Sequence, residues 1–199
     1  MEPAAVPEWV GPRIRFKCAL CGECCRLYWV PITHMDLLRI AERTGLKPRD
    51  FAAPIPKAAV GEWGMPAFLL SDGREHYLVL KKRLDGFCIF IELRSGRFVC
   101  SIYDARPLNC RFYPFVYIPG DVVRLELVEG AERFCPGIGR GPVRDLSAEA
   151  EAAVEREREM ESYREVVERW NKLVASAEVD GDFDKFLEFA LAAARASKL

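Results

Sequence analysis

The segment Cys18–Cys25, CALCGECC, places four thiols within eight residues as C-x2-C-x2-C-C. Thiolates are soft, charged ligands, and crowding them is unfavourable unless a disulfide or a metal takes up the sulfurs. Four more cysteines follow at Cys88, Cys100, Cys110 and Cys135, so all eight lie between positions 18 and 135 of a 199-residue chain. A tetrahedral zinc site or an iron–sulfur cluster takes four thiolates, so eight count as two filled sites or as one site with spare thiols. Disulfides or free core thiols are the third option, although a cytosolic chain able to build a normal core hardly needs a disulfide framework.

The spacing C-x2-C-x2-C matches the first three ligands of a bacterial-ferredoxin half, whose fourth cysteine precedes proline as Cys135 precedes Pro136. The likeness is partial, because position 28 is Tyr rather than the fourth cysteine of such a run. Structural zinc sites pair two C-x2-C knuckles, and a second knuckle is absent. An iron–sulfur centre of the 4Fe-4S kind is therefore the first expectation, and zinc the alternative. If Cys24 and Cys25 sit in extended backbone, their side chains face apart, and the two serve different centres or only one of them ligates. That reading groups Cys18, Cys21 and Cys24 with Cys110, and leaves Cys25, Cys88, Cys100 and Cys135 as a second set.

With CALCGECC, Cys88, CSIYDARPLNCRFYPF from Cys100 to Phe115 and CPGIG from Cys135, residues 14–140 resemble the YkgJ-type cysteine-cluster family, the CxxCxxCC zinc- or iron-chelating domain. The resemblance implies metal chelation through Cys18, Cys21, Cys24, Cys25, Cys88, Cys100, Cys110 and Cys135. Members of that family are often labelled iron–sulfur oxidoreductases, and flagellin lysine methylases carry a similar cysteine set. The resemblance does not supply a reaction, and the chain shows no clear cofactor loop for methyl transfer.

Lys17, Arg26, Arg106 and Arg111 adjoin cysteines, where cations offset thiolate charge; surface ion pairing is the alternative reading. Tyr103, Phe112 and Tyr113 either shield a centre or belong to the ordinary core. His34 and His76 read as structural residues, since eight thiols are on offer. Gly137-x-Gly139-x-Gly141 fits a tight turn after Cys-Pro better than a phosphate cradle, which would run directly from a strand into a helix. No Ser/His/Asp or Cys/His/Asn constellation emerges, and the acidic residues of 149–168 read as a solvated helix face.

The fold expected is α+β: a small antiparallel, hairpin-built sheet with cysteine-rich loops, covered by an N-terminal helix and two C-terminal helices. RIRFK (13–17) reads as a short strand, and the apolar stretch after Cys25 as extended to Pro31. Thr33 and Asp36 make a capping pair for a helix carrying Leu37, Leu38, Ile40 and Ala41 to Gly45. Pro48 opens a helical turn, and 52–66 reads as an irregular connection. Asp72-Gly73, Arg94-Ser95-Gly96 and Pro119-Gly120-Asp121 mark hairpin turns, the second placing Cys88 and Cys100 on paired strands. Beyond Ser147 a long amphipathic helix carries Tyr163, Val166, Val167, Trp170, Leu173, Val174 and Ala177. Asp180-Gly181-Asp182 separates it from a last helix of Phe183, Phe186, Leu187, Ala190 and Leu191, with Arg195 and Lys198 at its end. Domain limits follow as 1–142, the cysteine-cluster domain, and 143–199, a helical extension packed on it.

Charge is nearly balanced, with 29 Lys/Arg against 30 Asp/Glu, and the +4 excess of residues 1–142 is too diffuse for a nucleic-acid footprint. No apolar run approaches the ~20 residues that span a bilayer, and the first twelve residues lack an export pattern, so a cytoplasmic location is expected. Any partner is expected to be a protein engaging the C-terminal helices. The absence of Gln and the scarcity of Asn beside abundant Glu and Arg suggest a thermophilic source.

Overall fold

The structure is a computed structural model and describes residues 9–118 and 122–197. Strands β1 (Trp9–Val10) and β2 (Arg15–Phe16) precede helices α1 (Glu23–Leu27), α2 (His34–Thr44) and α3 (Pro48–Phe51). Strand β3 (Ala52–Pro56), helical turn α4 (Lys57–Val60), β4 (Phe68–Leu69), β5 (Glu75–Leu80), β6 (Ile91–Arg94) and β7 (Arg97–Cys100) follow. After a 3-10 turn at Tyr103–Ala105 come α5 (Leu108–Arg111), β8 (Phe115–Ile118), β9 (Val123–Leu127), α6 (Ala131–Phe134) and β10 (Ile138–Val143). Helices α7 (Ser147–Ala175) and α8 (Phe183–Ser197) complete an α+β architecture.

Among the described residues the strands form four small sheets rather than one: β3-β5-β4, β6-β7, β10-β2 and β1-β9-β8. All pairs are antiparallel except β1 with β9. The hairpins expected at Asp72-Gly73 and Ser95-Gly96 form, with Leu69 opposite Glu75 and Arg94 opposite Arg97. The β8–β9 hairpin forms too, while its Pro119-Gly120-Asp121 turn lies outside the described residues. Residues 52–66 hold a strand the proline content concealed. Pro54 and Pro56 are tolerated because β3 is an edge strand, where a missing N–H breaks no ladder on the outer side.

Helix α2 begins where its chemistry dictates. The Thr33 hydroxyl accepts from the Asp36 N–H at 3.3 Å, Asp36 accepts from the Thr33 N–H at 3.0 Å, and Gly45 ends the helix in the left-handed region at φ 72°. Leu37 and Ile40 are buried in the same core as β5, whose Tyr77, Leu78, Val79 and Leu80 are all buried, so that both faces of this strand are covered. Tyr163, Val166, Val167 and Trp170 of α7 and Phe186, Leu187 and Ala190 of α8 join the same core. Phe186 stacks on Phe68 with ring centroids 3.8 Å apart, and Trp170 donates to the Leu69 carbonyl at 2.8 Å. Asn171 completes the outer edge of β4 by accepting from Leu69 N–H and donating to the Ala67 carbonyl. A second, smaller core under β8 and β9 contains Leu108, Phe112, Phe115, Leu125, Leu146 and Ala150.

Ala177, expected on the α7 stripe, is instead exposed beyond the helix at φ 58°, and Lys198 lies outside the described residues. The solvated acidic face also needs correction, since Glu149 and Glu159 are only 4% and 6% exposed. Glu149 accepts from Arg144 at 2.8 Å. Glu159 accepts from Thr33 and Arg39, and Arg39 also pairs with Asp36, so a buried ionic cluster ties the start of α2 to the middle of α7.

Candidate metal centre

The thiol-rich segment is pressed against an aromatic floor. Gly22 has φ 75°, and a Cβ there would stand 2.8 Å from Phe98 Cγ and 3.0 Å from Phe87 Cε1, two rings stacked 4.8 Å apart. Leu20 accepts at its carbonyl from the Phe98 N–H at 2.9 Å. From Gly22 the chain turns directly into α1, where Arg26 N–H closes on the Gly22 carbonyl and the Arg26 side chain pairs with Glu23 at 2.9 Å. Cys24 and Cys25 are therefore helical, not extended. Successive helical side chains diverge by about 100° rather than 180°, and the two Sγ atoms lie 3.8 Å apart. With metal–sulfur bonds near 2.3 Å, the edge of a tetrahedral thiolate site is ~3.8 Å.

The other thiols arrive from separate elements. Cys88 N–H donates to the Cys25 carbonyl at 2.9 Å, and Cys88 bridges to Lys82 across a turn at Asp85-Gly86. Cys100 ends β7 opposite Ile91, whose N–H donates to the Cys88 carbonyl at 3.1 Å. Cys88 and Cys100 thus share one end of the hairpin, with Cys88 in the turn preceding β6 rather than on a strand. Cys110 sits in α5, next to Asn109, which donates to the Pro31 carbonyl and accepts from Arg156 of α7. Arg111 donates to the Arg106 and Asp104 carbonyls and fastens the loop between Cys100 and Cys110. Cys135 follows α6, and two residues later Gly137 accepts from the Lys17 N–H at 3.1 Å. A Cβ on Gly137 would stand 2.4 Å from the Lys17 carbonyl oxygen, so only glycine allows this approach. The Gly-rich segment runs as β10 beside β2, with no helix N-terminus to cradle phosphate.

All eight thiols are free. Cys24 is drawn down to about 7, first by its hydrogen bond with Cys25 and further by the Arg106 cation, while Cys25 is pushed up by that hydrogen bond and by burial. Burial raises Cys88 to about 11 and lifts Cys100, Cys110 and Cys135 above the ordinary thiol value. Cys18 is exposed. Among the described residues no three His, Cys, Asp or Glu side chains are already gathered to hold an ion; Cys24 and Cys25 alone stand at ligand spacing. The donor chemistry fits a thiophilic metal, since all eight thiols are free and six of them are half-buried.

Of the cations expected beside the thiols, Arg106 acts on Cys24 and Cys100, and it is held over the Tyr103 ring at 3.8 Å. Arg111 serves the loop backbone instead. Lys82 was not foreseen: it lies 5.0 Å from the Trp29 ring, donates to the Arg26 carbonyl at 2.5 Å and is in charge contact with Cys88 and Cys25. A turn at Asp85-Gly86 was a signal for bringing this segment against Cys88, but a two-residue loop would have put Arg83 there; the observed longer loop, centred on Asp85, places Lys82 opposite Cys88 instead. Tyr113 lies beside Cys24 and Cys135 and tilts against Tyr28, whereas Phe112 belongs to the smaller core and Tyr103 is exposed. His34 stacks on Tyr163, and His76 Nδ1 lies 3.0 Å from the Arg74 carbonyl.

A family model described as "CxxCxxCC: Putative zinc- or iron-chelating domain" matches residues 17–136, more than half of the chain. The chain belongs to this family. The match runs from the residue before Cys18 to the residue after Cys135, so it encloses every cysteine of the CxxCxxCC domain and stops before α7. No curated protein and no solved structure matches the chain. Among the described residues of this CxxCxxCC protein, no helix is long and apolar enough to cross a membrane.

Proposed function

We propose that this CxxCxxCC protein holds an iron–sulfur centre, of the 4Fe-4S kind, for electron transfer or for the reaction of a partner. The supporting observation is the convergence on Cys24. Cys25 is its neighbour on α1 with the Sγ atoms 3.8 Å apart, the Cys88 N–H donates to the Cys25 carbonyl, and Cys100, Cys110 and Cys135 come from three further segments, which together offer more sulfur than one tetrahedral ion takes. The residues that would hold such a centre are drawn from the eight cysteines, four thiolates to a cluster. When bound, such a centre supplies one-electron chemistry at a potential set by its charge and hydrogen bonding. The chain's own contribution is a floor of Phe87 and Phe98, the cations Lys82 and Arg106, and a rim at Tyr113 that limits water. A cytoplasmic setting, where thiols stay reduced, accords with free cysteines.

The 3.8 Å separation of Cys24 and Cys25 favours a second reading, a structural zinc site that stabilises the fold and presents α7 and α8 to a protein partner. Stepwise anaerobic reduction followed by absorption and electron paramagnetic resonance separates the two. Bleaching with a paramagnetic reduced state supports the iron–sulfur reading, and a metal-loaded but redox-silent protein supports zinc.

A further inference from the structure

We propose that Asn109 and Arg156 are a positioning pair for the Cys110 thiol, which makes α7, a helix without cysteine, part of the candidate metal centre. This rests on the reading that the thiols hold metal and is independent of how they are shared between centres. The family match ends at residue 136 and α7 begins at Ser147, so the pair reaches across the limit of the matched domain.

Cys110 is carried on α5, a single helical turn from Leu108 to Arg111. So short a helix has little stability of its own, because its first turn fixes three residues for one hydrogen bond. Its place is therefore set by what its side chains grip. Leu108 is buried in the smaller core with Leu146, Ala150 and Ala153, all from α7 or the residue before it. Asn109 supplies the polar grip: its Nδ2 donates to the Pro31 carbonyl at 2.9 Å, and its Oδ1 accepts from Arg156 Nε at 3.2 Å. Donor and acceptor ends of one planar amide are both engaged, so the side chain has a single orientation. Arg156 is held in turn, with only 20% of its side chain exposed and Glu157 as its ion-pair partner.

Pro31 is a firm anchor. The Ile32 N–H donates to the Leu78 carbonyl at 3.0 Å and the Leu80 N–H to the Val30 carbonyl at 2.9 Å, so residues 30–32 run along β5 with Pro31 opposite Val79. Between two such rungs the middle residue turns its carbonyl away from the partner strand, and the Asn109 amide donates to it there. Residues 30–32 follow α1, the helix of Cys24 and Cys25, by three positions. One amide thus ties the Cys110 turn to the strand that leaves α1 and to α7. The other Asn of the chain, Asn171, is an internal comparison. It lies on α7 and is also a two-bond clamp, accepting from the Leu69 N–H at 2.8 Å and donating to the Ala67 carbonyl at 3.0 Å, but it fastens β4, which carries no cysteine.

The test uses the full chain and its variants, loaded anaerobically with zinc, with cobalt(II), whose sulfur-to-metal absorption reports thiolate ligation, and separately with iron and sulfide. Arg156→Met leaves every cysteine and its loop intact, and is expected to weaken metal retention in chelator competition about tenfold and to dim the cobalt–thiolate band; Asn109→Leu is expected to do the same. Asn171→Leu is expected to lower Tm while retention and band stay native. Cys110→Ser with Arg156→Met is expected to hold metal no more weakly than Cys110→Ser alone, because the effect of Arg156 runs through that thiol. In the metal-free chain, alkylation mapped by mass spectrometry is expected to be faster at Cys110 once Arg156 is replaced. Native retention in Arg156→Met, an equal loss in Asn171→Leu, additive losses in the double variant or an unchanged alkylation rate at Cys110 overturns the inference. Where Asn109→Leu fails to fold, Arg156→Met decides. A native chain that takes up no metal under any loading overturns the functional reading and the inference with it; metal uptake that Arg156→Met leaves untouched overturns the inference alone.

Discussion

Replacing Gly137 with alanine tests how the thiol-bearing segments are brought together. The new Cβ would stand 2.4 Å from the Lys17 carbonyl oxygen, 3.1 Å from the Lys17 carbonyl carbon and 3.1 Å from Phe16 Cε2. The nearest atoms are backbone, so relief requires β2 and β10 to part. Overpacking of this kind costs about 1–3 kcal/mol, and weakening the Lys17–Gly137 hydrogen bond costs about 1 kcal/mol more. Stiffening of the unfolded chain returns about 0.4–1 kcal/mol. The net loss is about 2–3 kcal/mol, which for a chain of this size lowers Tm by roughly 4–12 °C. Gly139→Ala is the control, since its Cβ meets nothing within 4 Å and its cost comes only from φ 78°, about 1–2 kcal/mol. Calorimetry of the metal-loaded chains, with metal content measured on the same samples, is expected to show a larger Tm fall for Gly137→Ala together with loss of metal. A Gly137→Ala protein that melts with the native chain and keeps all its metal would refute the reasoning.

Three further outcomes follow from the same geometry. Arg39→Leu leaves Asp36 and Glu159, 2% and 6% exposed, without their cation, and is expected to cost about 3–5 kcal/mol in urea unfolding, with Arg39→Leu/Glu159→Leu milder than the single change. His34, fully buried, has its pKa lowered to about 4 from 6.5, mainly by burial. The unfolded state therefore binds the extra proton as pH falls below 6.5, and stability declines between 6.5 and about 4 by roughly 3 kcal/mol, a slope that His34→Gln should remove when unfolding is followed against pH. Lys82→Met withdraws the cation beside Cys88 and Cys25 and is expected to weaken metal retention in chelator competition by roughly tenfold; unchanged retention would show that Lys82 serves only its contact with Trp29.

Local chemistry was the legible part of the sequence. The Thr33–Asp36 capping box and the left-handed Gly45 each have one physical solution, and the structure adopts it, while the hairpin at Asp72-Gly73 forms with a longer loop, Leu69 opposite Glu75, than the two-residue turn the dipeptide signals. The eight cysteines stood out in the same way, and the family match that encloses all of them is described as zinc- or iron-chelating. What was hidden depends on tertiary context. Strand β3 was masked by Pro54 and Pro56, because propensity cannot tell an edge from a centre. Cys24 and Cys25 are expected as neighbours in extended backbone, whereas Gly22 and the Glu23–Arg26 pair stand at the start of a short helix there. Glu149 and Glu159 look like solvated helix residues until Arg144, Arg39 and Thr33 arrive from elsewhere to pair with them.

The central claim is that the cysteines of this CxxCxxCC protein hold metal, and elemental analysis of the full chain purified anaerobically tests it most directly. The account predicts iron with acid-labile sulfide, bound in amounts that fall when Cys24 or Cys25 is changed to serine. A folded protein with eight titratable free thiols and no iron or zinc would contradict it.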